Sequence, residues 1–237
     1  SVGSLFHLPV AVGVPVEQVV SGLRGAGVRI LAADGAGDRD LDAELAQTVH
    51  PQGLVAVVSS VVGSLDRLPA SPRLVCVLVE VGDPGNAGTV LRCADAAGAD
   101  AVVLTDASVD PYNPKAVRAS VGSLFHLPVA TGVPVEEAVA RLRAAGVRVL
   151  AADGAGERDL DRELDEGTLE GPCAWVFGNE AWGLPEETRA LADEVVKVPI
   201  HGHAESLNLA TAAAVCLYAS ARAQRSHSGC RAEGPAR

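Results

Sequence analysis

The sequence predicts an α/β protein built on a parallel sheet flanked by helices. Three observations carry this. Short apolar, strand-type runs alternate with helical stretches along most of the chain, the pattern of strand–helix–strand units. Hydrophobic residues make up 48% of the chain, yet aromatics are only 3% and methionine is absent. The core must therefore be assembled from Ala, Val and Leu, which suits strands buried on both faces. The 237 residues are also enough for one large domain or two small ones with a sizeable interior.

Each element follows in turn. Residues 73–81 are an apolar run with β character, and a helical pattern covers 86–97. A strand is expected over 100–105, a short helix over 114–119, and a further short strand from Val129. The helix over 135–145 stops at Gly146, the residue type that favours a left-handed helix end. Strands are expected at 147–152, 173–177 and 194–200. A long alanine-rich helix over 207–224 closes the pattern, with Ser206 as its N-cap.

Residues 1–45 nearly duplicate 120–164, with about 36 of 45 aligned positions identical. The run from Ser1 to Val10 recurs unchanged from Ser120 to Val129. One duplication is not a solenoid, which needs several stacked units. The second copy lies inside the α/β pattern, whereas the first has no neighbours to cover it. Residues 1–46 are therefore expected to form an appendage, or to compete with the second copy for its place. Residues 47–72 read as a bridge ending in the linker-type sequence Leu68-Pro69-Ala70-Ser71-Pro72. The domain proper is placed at 73–225. The tail, 226–237, is rich in Ser, Gly, Arg and Pro and is expected to be disordered.

No run approaches the roughly 20 apolar residues of a membrane span, and the start has no secretory pattern. The five cysteines, Cys76, Cys93, Cys173, Cys216 and Cys230, have no metal-type spacing. They read as reduced thiols of a cytoplasmic protein. His201, His203 and Glu205 lack the further ligand that zinc needs, so no metal is expected. The net charge of −11 opposes general nucleic-acid affinity, so any nucleic-acid contact must come from basic residues concentrated locally.

Three segments stand out. Asp83-Pro84-Gly85-Asn86 closes a strand and opens a helix, whose free amides can hold an anion or orient a polar group. An ordinary capped turn also explains it. It is not a dinucleotide fingerprint, because Thr89 and Leu91 break that spacing. Gly178-Asn179-Glu180 follows an apolar strand directly, at the strand end where ligands gather in parallel sheets. A turn with a surface glutamate is the alternative, and Trp182 reads as a packing residue. Glu205-Ser206-Leu207-Asn208 precedes the last helix. Asn208 in the first turn is a mediocre helix former, which suggests a role for its amide. Lys115, Arg118 and Ser120 read equally as phosphate contacts or as a solvated helix face.

In this order and at these separations, Asp83 through Arg92, Phe177 through Pro185 and Glu205 through Ala210 resemble the three motifs of the SpoU (TrmH-like) branch of the SPOUT RNA methyltransferases. The resemblance covers about residues 73–225. It implies a deep C-terminal trefoil knot, a homodimer with the active site near the subunit boundary, and methyl transfer from S-adenosylmethionine to a ribose 2′-hydroxyl of RNA. Ribosomal RNA is expected before transfer RNA. The stretch 48–58 resembles the end of the RNA-recognition domain that precedes the catalytic domain in many members.

By that resemblance, Arg92 is the key catalytic residue, acting with Asn86, Glu180, Ser206 and Asn208. Ala152, Gly154, Phe177, Gly178, Val198, Ile200, Leu207 and Leu209 hold the cofactor, and Lys115, Arg118 and Ser120 face RNA. Because arginine stays protonated, Arg92 is expected to bind a phosphate and offset charge on the hydroxyl rather than act as a base. The alternative function is a non-catalytic RNA-binding or ribosome-assembly module with the same fold. An unrelated nucleotide-binding enzyme would need a glycine-rich phosphate loop, which no glycine cluster here supplies.

Overall fold

The structure, a computed structural model, describes residues 30–32, 54–56 and 60–232. Two compact units divide the chain, one running from Val61 onward and one covering Pro9–Ser60. In the smaller unit, β1 (Ile30–Ala32) pairs antiparallel with β2 (Leu54–Ala56), Leu31 opposite Val55. The rest of the expected appendage lies outside the described residues.

The larger unit holds an eight-stranded sheet in which every pairing is parallel. Its strands are β3 (Val62–Gly63), β4 (Leu74–Leu78), β5 (Ala101–Thr105), β6 (Val129–Val133), β7 (Arg148–Ala152), β8 (Arg158–Asp159), β9 (Cys173–Phe177) and β10 (Glu194–Lys197). The order across the sheet is β3-β6-β5-β4-β9-β7-β10-β8. From β4 the chain builds outward to β5 and β6. It then crosses to β7 and returns to lay β9 between β4 and β7.

Alternate residues of each strand point to opposite faces, and both faces are buried. On one face Leu74, Cys76 and Leu78 of β4 join Trp175 and Phe177 of β9. They pack against α1 (Pro84–Ala97) and α6 (Leu209–Ala232). On the other face Val75 and Val77 join Ala174 and Val176 and meet Val139 and Leu142 of α3 (Val135–Ala144). Trp175 is fully buried and stacks on Phe177 at 6.4 Å between ring centres. Its indole N–H donates to Ser220 of α6 at 2.8 Å, which satisfies the one polar atom it carries inward.

Local sequence sets the helix ends. Asp83 caps α1 by accepting the Asn86 N–H at 2.8 Å, with proline at the first helical position. Gly98 closes the helix in the left-handed conformation, φ +79°. Asn113 caps α2 (Pro114–Ser120) in the same way. Gly88 lets α1 and α2 touch, since a Cβ there would lie 2.3 Å from the Ala116 carbonyl oxygen.

Four expectations need correction. The supposed linker is part of this unit: β3 adds to the sheet edge, and Leu65, Leu68 and Pro72 are buried. Residues 226–232, the first part of the tail expected to be disordered over 226–237, continue α6, and 233–237 lie outside the described residues. Ser206 does not cap α6. The helix starts at Leu209, and Asn208 caps it, its side chain accepting the Ala210 N–H at 2.9 Å and its carbonyl the Ala212 N–H at 2.9 Å. The last strand stops at Lys197, three residues before its expected end. The short elements β3, β8, α4 (Leu160–Asp165) and α5 (Glu186–Ala190) were not expected.

Candidate active site

A cleft of about 700 Å³ opens at the carboxyl ends of β4, β9, β7 and β10, where ligands bind in parallel sheets. All eight residues assigned to the cofactor line it: Ala152, Gly154, Phe177, Gly178, Val198, Ile200, Leu207 and Leu209. Asn86, Glu180, Ser206 and Asn208 line it too. Asn86 and Asn208, 122 residues apart in sequence, thus share one cavity.

Hydrogen bonds join them. The Asn208 amide donates to the Asn86 side-chain oxygen at 3.2 Å, and the Asn86 amide donates to Glu180 at 3.0 Å. Asn86 is held from behind by the Asp83 cap. The Lys115 ammonium, 2.7 Å from Asp83, and the Asn86 N–H together hold the Asp83 carboxyl below the usual carboxylate range.

The Glu180 loop is fixed by Asn179. Its backbone exchanges two hydrogen bonds with Gly183, at 3.0 and 2.9 Å. Its side chain accepts the Ala181 N–H at 2.8 Å and donates to the Glu80 carbonyl at 2.6 Å. Glu80 turns that carbonyl toward the loop from a left-handed backbone, φ +51°. Gly178 is needed for this loop rather than for a ligand's approach, since a Cβ there would lie 2.3 Å from the Gly183 carbonyl.

The remaining assignments fall elsewhere. Arg92 is exposed on α1, on a stripe with Thr89 and Ala96, and does not line the cleft. Lys115 and Arg118 lie on α2, with Lys115 exposed and already paired with Asp83. Arg118 does not line the cleft either. Ser120 cannot face RNA, because it is fully buried and its hydroxyl donates to the Val117 carbonyl at 2.9 Å. Trp182, read as a packing residue, is 65% exposed at the cleft's rim.

Asp153 and Arg189 line the cleft as an ion pair at 3.6 Å. Asp153 sits at a strand's carboxyl end, a usable signal, while Arg189 lies in a short helix that carries none. Among the described residues no group of three or more His, Cys, Asp or Glu is placed to hold a metal, and no helix is long and apolar enough to cross a membrane.

Residues 73–218 match the model of the SpoU rRNA methylase family. A 23S rRNA (uridine(2479)-2′-O)-methyltransferase of Streptomyces viridochromogenes is 39% identical over 180 residues, 73% of this chain and 61% of the relative. The 23S rRNA (guanosine-2′-O-)-methyltransferase RlmB of Ralstonia nicotianae is 34% identical, covering 89% of this chain and 83% of the relative. The crystal structure of the SpoU methyltransferase AviRb from Streptomyces viridochromogenes, in complex with AdoMet, superposes with a TM-score of 0.68 at 32% identity, covering 88% of each chain. This chain belongs to the SpoU rRNA methylase family.

Proposed function

We propose that the chain transfers a methyl group from S-adenosylmethionine to a ribose 2′-hydroxyl of RNA, with ribosomal RNA as substrate. One observation carries the reading: the hydrogen-bonded chain from Asn208 through Asn86 to Glu180 inside a cleft. Relatives named as 23S rRNA 2′-O-methyltransferases support it.

The cleft suits that cofactor. Phe177, Val198, Ile200, Leu207 and Leu209 offer apolar surface for an adenine ring, with Ala152, Gly154 and Gly178 leaving backbone accessible beside it. Glu180 and Glu205, with Asp153 offset by its Arg189 partner, give the cleft a negative character that suits a sulfonium. Bound there, the cofactor supplies an electrophilic methyl carbon. Asn86, Asn208 and Ser206 then orient the ribose, and Glu180 anchors the amide chain that points at it.

Arg92 offsets negative charge on the ribose oxygen while holding a neighbouring phosphate. From its exposed stripe it reaches the reaction across a subunit boundary in a homodimer. The outer face of α6, which packs along α1, exposes Val215 and Tyr218, 39% and 49% accessible, and is the natural surface for that contact. The knot belongs to the same reading, with α6 threaded after β9 enters the sheet. Arg118, exposed on α2 outside the cleft, remains available to an RNA phosphate, whereas the Lys115 charge is offset by Asp83. The reaction takes place in the cytoplasm.

Deproteinised ribosomal RNA incubated with methyl-labelled cofactor is expected to give a labelled 2′-O-methylnucleotide. Arg92→Ala is expected to abolish the label while cofactor binding survives. A non-catalytic RNA-binding or assembly role is the second reading, favoured by Arg92 lying outside the cleft of a single chain. Cofactor binding without any transfer selects it.

A further inference from the structure

We propose that Trp182 is a stacking platform for a nucleobase of the substrate RNA, setting how the strand enters the cleft. The inference rests on the RNA methyl-transfer reading above. Trp182 is the most exposed large hydrophobic residue among those described, at 65%, and it lines the cleft two residues from Glu180. Folding does not require it there. The 179–183 loop is closed by the Asn179–Gly183 backbone pair and by the Asn179 side chain, none of which involves the indole.

The same bonds fix the backbone from which the ring projects, which lowers the cost of ordering the loop on binding. A flat aromatic on a fixed loop beside a polar site matches what unstacked single-stranded bases seek. The acidic balance of the chain points the same way. With net charge −11, phosphate contacts alone supply little affinity, whereas base–aromatic stacking does not depend on charge. A nucleobase therefore fits this rim better than a phosphate or an acidic peptide does.

Two measurements test the proposal. The chain has two tryptophans, and the other, Trp175, is fully buried. Intrinsic fluorescence of the wild type is therefore expected to be quenched by a short mixed-sequence single-stranded RNA, and that of Trp182→Phe to be unaffected. This readout needs no turnover, so it stands apart from the methyl-transfer assay. In steady-state methylation of ribosomal RNA, Trp182→Ala is expected to raise KM for RNA roughly ten- to hundredfold. In that variant kcat changes little and calorimetric affinity for S-adenosylmethionine is unchanged, while Trp182→Phe recovers most of the loss.

Unchanged fluorescence in the wild type overturns the proposal, as does an unchanged KM in Trp182→Ala. A loss of cofactor affinity in Trp182→Ala also overturns it, by making the indole a cofactor lid. A shift to monomer in sedimentation does the same, by placing the indole in a subunit contact. Absence of methyl transfer by the wild type, with quenching intact, instead counts against the methyl-transfer reading alone.

Discussion

At the scale of single residues, the site is held by neutral amides bridging to one carboxylate. Asn86 is the middle member, donating to Glu180 and accepting from Asn208. Asn86→Ala is expected to lower kcat about 10²- to 10³-fold, the usual cost of losing one preorganised donor, with cofactor affinity within a few-fold of wild type by calorimetry. A second residue-scale prediction concerns Glu163. It is fully buried and hydrogen-bonded by Arg148 at 2.7 Å, by Arg158 and by Thr168. Burial pushes its carboxyl up, but the bonds from Arg148, Thr168 and Arg158 outweigh that and leave it below the ordinary 4.5. A depressed folded value means that the stability it contributes is complete above the unfolded value and is lost as pH falls through the folded one. Glu163→Gln should therefore cost on the order of 3 kcal/mol near neutrality. In denaturant titrations the gap from wild type should narrow steadily below pH 4.5.

At the scale of elements, the long apolar strands and the capped helices were legible because each carries its own signal. Helix α1 has Asp83 and Pro84 at one end and Gly98 at the other. The two-residue strands β3 and β8 were not legible, because a period of two needs several residues to register. The start of α6 was misplaced for a different reason. Ser206 and Asn208 are both good caps, and only tertiary contact decides between them: the Asn86 bond holds the Asn208 side chain where it also caps. Asn208→Ala should thus cost about 1 kcal/mol in stability besides its effect on turnover, while Ser206→Ala should stay within about 0.5 kcal/mol in thermal melts. Close backbone approach was equally hidden. Gly178→Ala places a Cβ against the Gly183 carbonyl and must displace the Glu180 loop, so turnover is expected to fall on the order of a hundredfold.

At the scale of the whole molecule, the duplicated segment shows how far neighbours decide structure. Ile30–Ala32 in the first copy corresponds to 149–151 in the second. The first pairs antiparallel with Leu54–Ala56, while the second lies between β9 and β10 in a parallel sheet. Nearly identical sequence thus supplies a strand in both places, and the partner sets its direction. On the appendage reading of the sequence, deleting residues 1–46 is expected to leave the melting temperature within about 3 °C, about 1 kcal/mol on the usual scale, as read by calorimetry. Composition and periodicity did not carry the gathering of the three motifs, which only the family resemblance implied. It depends on β9 entering between β4 and β7, a placement that no local pattern encodes. The most direct test is nucleoside mass spectrometry of ribosomal RNA incubated with the full chain and S-adenosylmethionine. One new 2′-O-methylated nucleotide is expected, formed about 10²- to 10³-fold more slowly with Asn86→Ala. Methylation on a base, or none at all from a protein that binds the cofactor, would contradict it.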